Sequence, residues 1–137
     1  MKNKYSLLQM RDVWIDAYIS GDIDQLNFVE SAHFFVKRRD RILTKVQQIA
    51  SIQRRLAEKT WPDCGPRIHQ DITAIVEDHS WASISGTGSM ASNGKDLTRF
   101  DYLELWVVNE NRWQIAALCY DEKRREAEGV KDNSDEE

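Results

Sequence analysis

The sequence has 137 residues, of which 41% are hydrophobic and 31% charged, and its formal net charge is −4. This length and composition predict one globular domain with a sizeable core, and the acidic balance argues against nucleic acid or an anionic membrane as a partner. The first residues, MKNKYSLLQMRDVW, contain no apolar run long enough for a signal peptide or a membrane span. Cytoplasmic residence is therefore the expectation.

Three helices are predicted in the first half of the chain. Residues 5–20 carry apolar side chains at helical spacing, and Gly21 supplies a stop. Asp22 followed by Gln25 is a capping pattern for a short second helix. The first helix is expected to bury a stripe that consists of Leu7, Met10, Trp14, Ala17 and Tyr18.

The third helix is predicted from a second capping pattern, in which Thr44 precedes Gln47 by three residues. It continues to about Glu58, after a short β-rich stretch at 33–38. Its expected buried stripe consists of Val46, Ile49, Ala50, Gln53 and Leu56.

From Arg67 onward the apolar period changes from about 3.6 to two. Four consecutive antiparallel strands are predicted at 67–77, 81–90, 97–108 and 112–121. The sequence therefore predicts one α+β domain over residues 1–122, with helices packed on one face of a curved, mostly antiparallel sheet. The charged remainder, 123–137, is expected to be a disordered tail.

The register of these strands decides which side chains share a face. A two-residue loop at Asn93-Gly94 predicts Ile84 opposite Leu103. For the last hairpin, a three-residue loop at 109–111 is preferred to a two-residue loop, because it places Leu105 opposite Ile115. A similar loop at 77–79 predicts Ile72 opposite Ile84.

Two rows of side chains on the inner face follow from this register. In one row Gln70 and Gly86 neighbour Asp101 and Cys119, and in the other Arg99 lies opposite Asp121. The three charged residues are therefore expected to form a cluster beside a gap at the strand glycines. The opposite face is expected to expose aromatic residues and to form a subunit interface, with Trp81, Tyr102, Trp106 and Tyr120 outward.

Two stretches and the order of elements resemble the nuclear transport factor 2-like superfamily, also called SnoaL-like. The stretches are RDVWIDAYISGDIDQLNFV (11–29) and TRFDYLELWVVNENRWQIAALCYD (98–121). The resemblance implies a cone-shaped α+β barrel, with a ligand cavity between the concave sheet face and the first and third helices. It also implies a homodimer through the outer face.

Three functions are compatible with this resemblance. The first is binding of a small, largely apolar ligand in the cavity, without established catalysis. We expect this cavity to be lined by Trp14, Tyr18, Gln70, Gly86, Leu103 and Cys119.

The second is a cofactor-independent hydrolase, isomerase or dehydratase that uses Asp101 and Asp121 with Arg99 as their orienter. An Arg-x-Asp strand followed by an Asp on the next strand is similar to the limonene-epoxide-hydrolase branch of the superfamily. An arginine between two carboxylates keeps one ionised while the other stays protonated, which supplies a base and an acid.

The third is a protein-interaction domain, such as an immunity protein or an adaptor. It would work through the aromatic outer face or through the basic run KRRDR at 37–41. The two cysteines, Cys64 and Cys119, form neither a CxxC motif nor a cluster with histidines, so the sequence predicts reduced thiols and indicates no metal or cofactor.

Overall fold

Three helices and six strands make up the computed structural model, which describes residues 5–61, 67–91 and 98–123. The helices and strands follow in this order: α1 (Leu7–Ser20), α2 (Ile23–Val29), β1 (Glu30–Arg38), β2 (Arg41–Thr44), α3 (Lys45–Ala57), β3 (Arg67–Glu77), β4 (Trp81–Ala91), β5 (Thr98–Asn109) and β6 (Arg112–Lys123). This is the expected α+β architecture. The predicted tail beyond Lys123 lies outside the described residues.

Side-chain caps fix where the helices begin. Ser6 and Gln9 form a capping box that opens α1, and Gly21 ends the helix with a left-handed backbone, φ 73°. The Asp22 side chain accepts from the Gln25 N–H at the start of α2, as predicted. Thr44 and Gln47 form the predicted box at the start of α3.

The six strands form one sheet in the order β2-β1-β6-β5-β4-β3. The last four strands pair antiparallel in sequence order, as predicted. The structure adds a second strand to the predicted stretch at 33–38 and pairs β1 parallel to β6, with Phe35 opposite Ala117. Strand β6, which the sequence places at the end of a meander, therefore lies inside the sheet.

The predicted register between β4 and β5 is wrong by one residue. Ile84 lies opposite Glu104, where the sequence predicts Leu103. Because side chains alternate between the two faces, this shift moves every β5 side chain to the face opposite the predicted one. Its aromatic series of Phe100, Tyr102 and Trp106 is buried, whereas Leu103 and Leu105 are about two-fifths exposed on the outer face.

The last hairpin has a two-residue loop, Glu110-Asn111, and both residues have positive φ. A bulge between Leu105 and Trp106 then offsets the rest of the pair. The three-residue loop was the wrong choice. The predicted pairing of Ile72 with Ile84 is also wrong, since Ile72 lies opposite Gly86.

The core lies between the concave face of the sheet and the helices. Four of the five α1 residues predicted to be buried are so, namely Leu7, Met10, Trp14 and Ala17. In α3 only Ile49 of the predicted stripe packs against the core, where it is partly buried. The fully buried residues are Gln48 and Ile52, and Val46 is 79% exposed. Within the described ranges, every helix is too short or too polar to cross a membrane.

Candidate functional site

A buried ion pair joins α1 to β5 on the concave face. Arg11 Nη2 lies 2.7 Å from Glu104 Oε2, and Arg11 Nε donates to both carboxylate oxygens at 2.8 and 2.9 Å. The Arg11 side chain is 8% exposed and that of Glu104 is 1% exposed. Charged groups this deeply buried persist only when they are paired and hydrogen-bonded.

Three further side chains complete this arrangement. Arg11 Nη2 also donates to Gln70 Oε1 at 3.0 Å and to the Tyr102 hydroxyl at 3.3 Å. Trp106 Nε1 donates to Glu104 Oε1 at 3.0 Å. We call these five residues the concave cluster: Arg11, Gln70, Tyr102, Glu104 and Trp106.

The electrostatics of the concave cluster hold its groups in fixed protonation states. Burial by itself would lower the pKa of Arg11, but the hydrogen bonds and negative charge of Glu104 outweigh burial and raise that pKa. Burial also raises the pKa of Tyr102 above its usual range. Arg11 is thus a permanent cation, and Tyr102 is a protonated phenol near neutral pH.

Two donors of the concave cluster have no acceptor among the residues that the structure describes. Nitrogen Nη1 of Arg11 is one, since the bonds to Glu104, Gln70 and Tyr102 all use Nε and Nη2. The hydroxyl hydrogen of Tyr102 is the other, because this oxygen accepts from Arg11. Buried donors are nearly always satisfied in native proteins, so both can bind an oxygen acceptor supplied from outside.

The two strand glycines make room for the aromatic rings of β5. A methyl group on Gly86 would lie 2.6 Å from the Tyr102 hydroxyl oxygen, and one on Gly88 would overlap the Phe100 ring. Close approach by a neighbour is one of the expected reasons for glycine in a strand. The gap predicted at these glycines is therefore occupied by Phe100 and Tyr102.

A second buried carboxylate, Glu30, connects α1 and α3 to the start of β1. It accepts from Trp14 Nε1 at 3.1 Å and from Gln48 Nε2 at 2.9 and 3.1 Å. Glu30 is 1% exposed, and burial raises its pKa to about 7 against the opposing effect of these hydrogen bonds. Glu30 therefore links the start of β1 to α1 and α3 through buried hydrogen bonds.

The three residues of the catalytic hypothesis all lie on the exposed outer face. Arg99 is opposite Lys123, and Asp101 is opposite Asp121, so the predicted neighbours Arg99 and Asp121 are not a pair. Asp101 makes an ion pair with Lys123 at 3.3 Å, and Asp121 makes one with Arg39 at 3.4 Å. The one-residue shift between β4 and β5 places these residues on the outer face, and the two-residue loop with its bulge shifts β6 against β5 by two residues, which separates Arg99 from Asp121.

The six predicted ligand residues are divided between the faces. Trp14 and Gln70 lie on the concave side, and Gly86 lies there under the Tyr102 ring. Tyr18, near the end of α1, is 40% exposed and packs edge-on against Trp61. Leu103 and Cys119 face each other on the outer face, where they line a shallow groove of about 270 Å³.

The outer face differs from the aromatic surface that was expected. Tyr102 and Trp106 are buried inside the fold, and only Trp81 of the predicted aromatic set is largely exposed, at 50%. Leu103 and Leu105 are exposed in their place. The homodimer through this face stays a prediction.

The basic run at 37–41 lies on the hairpin of β1 and β2. Two of its arginines pair with carboxylates at the end of β6, Arg38 with Glu122 at 2.8 Å and Arg39 with Asp121. Within the described parts of the chain, no group of three or more His, Cys, Asp or Glu side chains is arranged to hold a metal ion.

Sequence reasoning missed the concave cluster, although one signal was present. Arg11 is four residues after Leu7 and three before Trp14, so it interrupts the buried stripe of α1. A charge in such a position predicts a buried partner. The partner is not evident from the sequence, because Glu104 stands between Leu103 and Leu105 and the predicted register turns Tyr102 and Trp106, which lie on the same face as Glu104, outward.

Comparisons with known proteins define the fold. No protein-family model matches the sequence, and no curated protein matches it at a significant level. Among solved structures, 206 chains match significantly.

One similar structure is a ketosteroid isomerase-like protein from Erwinia carotovora atroseptica, with a TM-score of 0.62 and 13% identity, covering 87% of this chain and 95% of that one. Another is a nuclear transport factor 2-like protein from Cytophaga hutchinsonii, with a TM-score of 0.64 and 14% identity, covering 84% and 93%. A third is a calcium/calmodulin-dependent protein kinase type II association domain, so described provisionally, from Thiobacillus denitrificans, with a TM-score of 0.68 and 6% identity, covering 87% and 96%. At these identities the likeness concerns the backbone alone, and it shows that the chain has the nuclear transport factor 2-like fold.

Proposed function

We propose that this domain binds a small molecule with an apolar body and an acceptor oxygen, on the concave face between α1 and β3. The observation that carries the proposal is Nη1 of the buried Arg11 side chain, which has no acceptor within the described part of the chain. A carbonyl or carboxylate oxygen from a ligand would satisfy it.

The donors that surround such an oxygen come from three elements. Arg11 belongs to α1, Tyr102 to β5 and Gln70 to β3. Gln70 Oε1 accepts from Arg11, and its amide N–H groups, which donate to no residue that the structure describes, are available to a ligand. Glu104 holds the guanidinium from the opposite side through Nε and Nη2 and so fixes the direction of Nη1.

Apolar side chains next to these donors suit the body of the ligand. Ile68 and Ile72 share the concave face with Gln70, since residues two apart on a strand lie on the same side. They are 50% and 39% exposed, although the rest of this face is mostly buried. Polar donors beside an apolar wall are the usual composition of a small-molecule site.

One named relative supports this class of ligand. The similar structure from Erwinia carotovora atroseptica is described as ketosteroid isomerase-like, and a ketosteroid combines an apolar body with a carbonyl oxygen. The proposal extends to binding and assigns no reaction. Glu104 already accepts from Arg11 and Trp106, and Asp101 and Asp121 lie on the other face of the sheet.

Two probes with the same chain and different heads test the proposal, octanoate and 2-octanone. Each is titrated into ¹⁵N-labelled protein, and we expect saturable shifts in the Gln70 side-chain amide and in the backbone of α1 and β3. Tyr102→Phe removes one donor and should weaken the binding of at least one probe by about threefold to tenfold.

Tyr120→Phe is the matched control. Tyr120 lies directly opposite Tyr102 in the sheet and is also partly buried, but it neighbours Arg38 and Glu122 and is not among the hydrogen-bond partners of Arg11. It should leave both affinities unchanged. The proposal fails if neither probe saturates at millimolar concentration, or if the two variants weaken binding equally.

A further inference from the structure

Strand β3 lies at an end of the sheet and has one edge without a partner strand among the described residues. It is 11 residues long, and every residue from 68 to 77 is exposed. Proteins usually protect such edges with lysine, with proline or by keeping the strand short. Residues 68–72 contain neither lysine nor proline and lie before the bulge between Ile72 and Ala74, so none of these devices protects this part of the edge.

The orientation of the backbone shows which residues can pair there. The carbonyl oxygens of His69 and Asp71 lie against Gly88 and Gly86 of β4. Hydrogen-bonding groups alternate in direction along an antiparallel strand. The backbone N–H and C=O groups of the alternate residues, Ile68, Gln70 and Ile72, are therefore directed to the free edge.

We infer that β3 pairs antiparallel with β3 of a second copy of this chain, about a two-fold axis at Gln70. In this register Gln70 lies opposite itself, Ile68 opposite Ile72 of the copy, and His69 opposite Asp71 of the copy. Three hydrogen-bonded pairs with two bonds each provide about six backbone hydrogen bonds. The bulge between Ile72 and Ala74 is present in both copies, so it limits the pairing at both ends.

The side chains match on both faces of this pairing. On the concave side, isoleucine meets isoleucine at two positions that are 50% and 39% exposed in the single chain. On the outer side, His69 Nε2 and Asp71 Oδ1 already lie 3.3 Å apart within one strand. The second copy would bring its own pair against them, so that each imidazole faces two carboxylates and each carboxylate two imidazoles.

This complementarity of imidazole and carboxylate distinguishes a second copy from an arbitrary strand. A shift of the register by two residues would place Asp71 opposite itself or His69 opposite itself, and like groups in direct opposition destabilise a sheet. A shift by one residue would place Ile68, whose side chain lies on the concave face, opposite a residue whose side chain lies on the outer face. The inference does not depend on the ligand proposed above.

A charge exchange tests the register through the monomer–dimer equilibrium, measured by sedimentation. His69→Asp places two aspartates in opposition twice in each dimer and should raise the dimer Kd roughly threefold or more. The double variant His69→Asp/Asp71→His has the same two side chains in reversed positions and should restore the Kd. A chain that stays monomeric at high concentration, or a dimer that His69→Asp leaves unchanged, overturns the inference.

Disulfide formation locates the two-fold axis. In a Cys64→Ser/Cys119→Ser background, Gln70→Cys should crosslink two chains on oxidation, because opposed residues with Cα atoms about 5.5 Å apart are within disulfide range. Ile75→Cys lies on the same face and is 41% exposed, but its two copies would be roughly 30 Å apart. Equal crosslinking by the two variants would contradict the register.

Discussion

The concave and outer faces of β5 and β6 each carry carboxylates paired with cations, in opposite environments. On the concave face, Arg11 and Glu104 are more than nine-tenths buried and 2.7 Å apart. On the outer face, Asp101 and Lys123 are more than half exposed and 3.3 Å apart. The residue types are alike, and only the exposure to water differs.

This difference shows why residue type alone does not identify a site. Exposed ion pairs contribute about 0–1 kcal/mol, because water solvates the separated charges nearly as well. Buried pairs are costly to assemble and very costly to break, since the remaining charge has no other partner. The buried pair therefore has a defined geometry that can orient a ligand, and the exposed pairs do not.

The largest effect is expected from Glu104→Gln, which leaves the buried Arg11 cation without a counter-charge. We expect the free energy of unfolding to fall by about 3–5 kcal/mol in urea titrations. The double variant Arg11→Met/Glu104→Gln removes both charges and should recover at least about 2 kcal/mol of this loss. Equal stability of Glu104→Gln and the parent would contradict the description of a coupled pair.

A smaller effect is expected from the protonation of Glu30, whose pKa rises from 4.5 to about 7 on folding. The folded state holds this proton more tightly than the unfolded state, so the associated stability is complete below pH 4.5 and is lost as pH rises through 7. The loss amounts to about 3 kcal/mol.

The glutamine in the Glu30→Gln variant cannot titrate. The difference in the free energy of unfolding between the variant and the parent should therefore change by about 3 kcal/mol between about pH 4.5 and pH 8. Parallel stability profiles of the two proteins would show that Glu30 has an ordinary pKa. The variant Glu122→Gln, at the exposed pair with Arg38, provides a control for general charge effects.

The smallest effect is expected on the outer face. Asp101→Asn and Asp121→Asn each remove one exposed ion pair and should change the free energy of unfolding by less than about 0.5 kcal/mol. The same urea titrations measure it. A loss near that of Glu104→Gln would show that the two faces are not energetically distinct.

Local signals in the sequence were sufficient for most of the secondary structure and for the antiparallel order of β3 to β6. The caps at Asp22 and Thr44 and the stop at Gly21 depend on nearby residues, and all three are present. The parallel pairing of β1 with β6 has no comparable signal, because it joins residues such as Phe35 and Ala117 that are far apart in the chain. It was not predicted.

The candidate site could not be derived because its position depends on a single-residue register. Both faces of β5 are apolar, one with Phe100, Tyr102 and Trp106 and the other with Leu103 and Leu105. The apolar pattern of the sequence alone does not show which of these two faces is buried. The large rings are inside because glycines on β4 leave room for them, and this preference is evident only when the two strands are considered together.

The parallel pairing of β1 with β6 has a consequence for how the chain folds during synthesis. Strand β6 is last in the described sequence, yet it separates β1 from β5 in the sheet. Until β6 has left the ribosome, β1 and β5 each expose an edge, and the buried residues Phe34 and Trp106 have an incomplete enclosure. The sheet is therefore completed late, through contacts between residues that are far apart in the sequence. Such contacts form slowly relative to local ones.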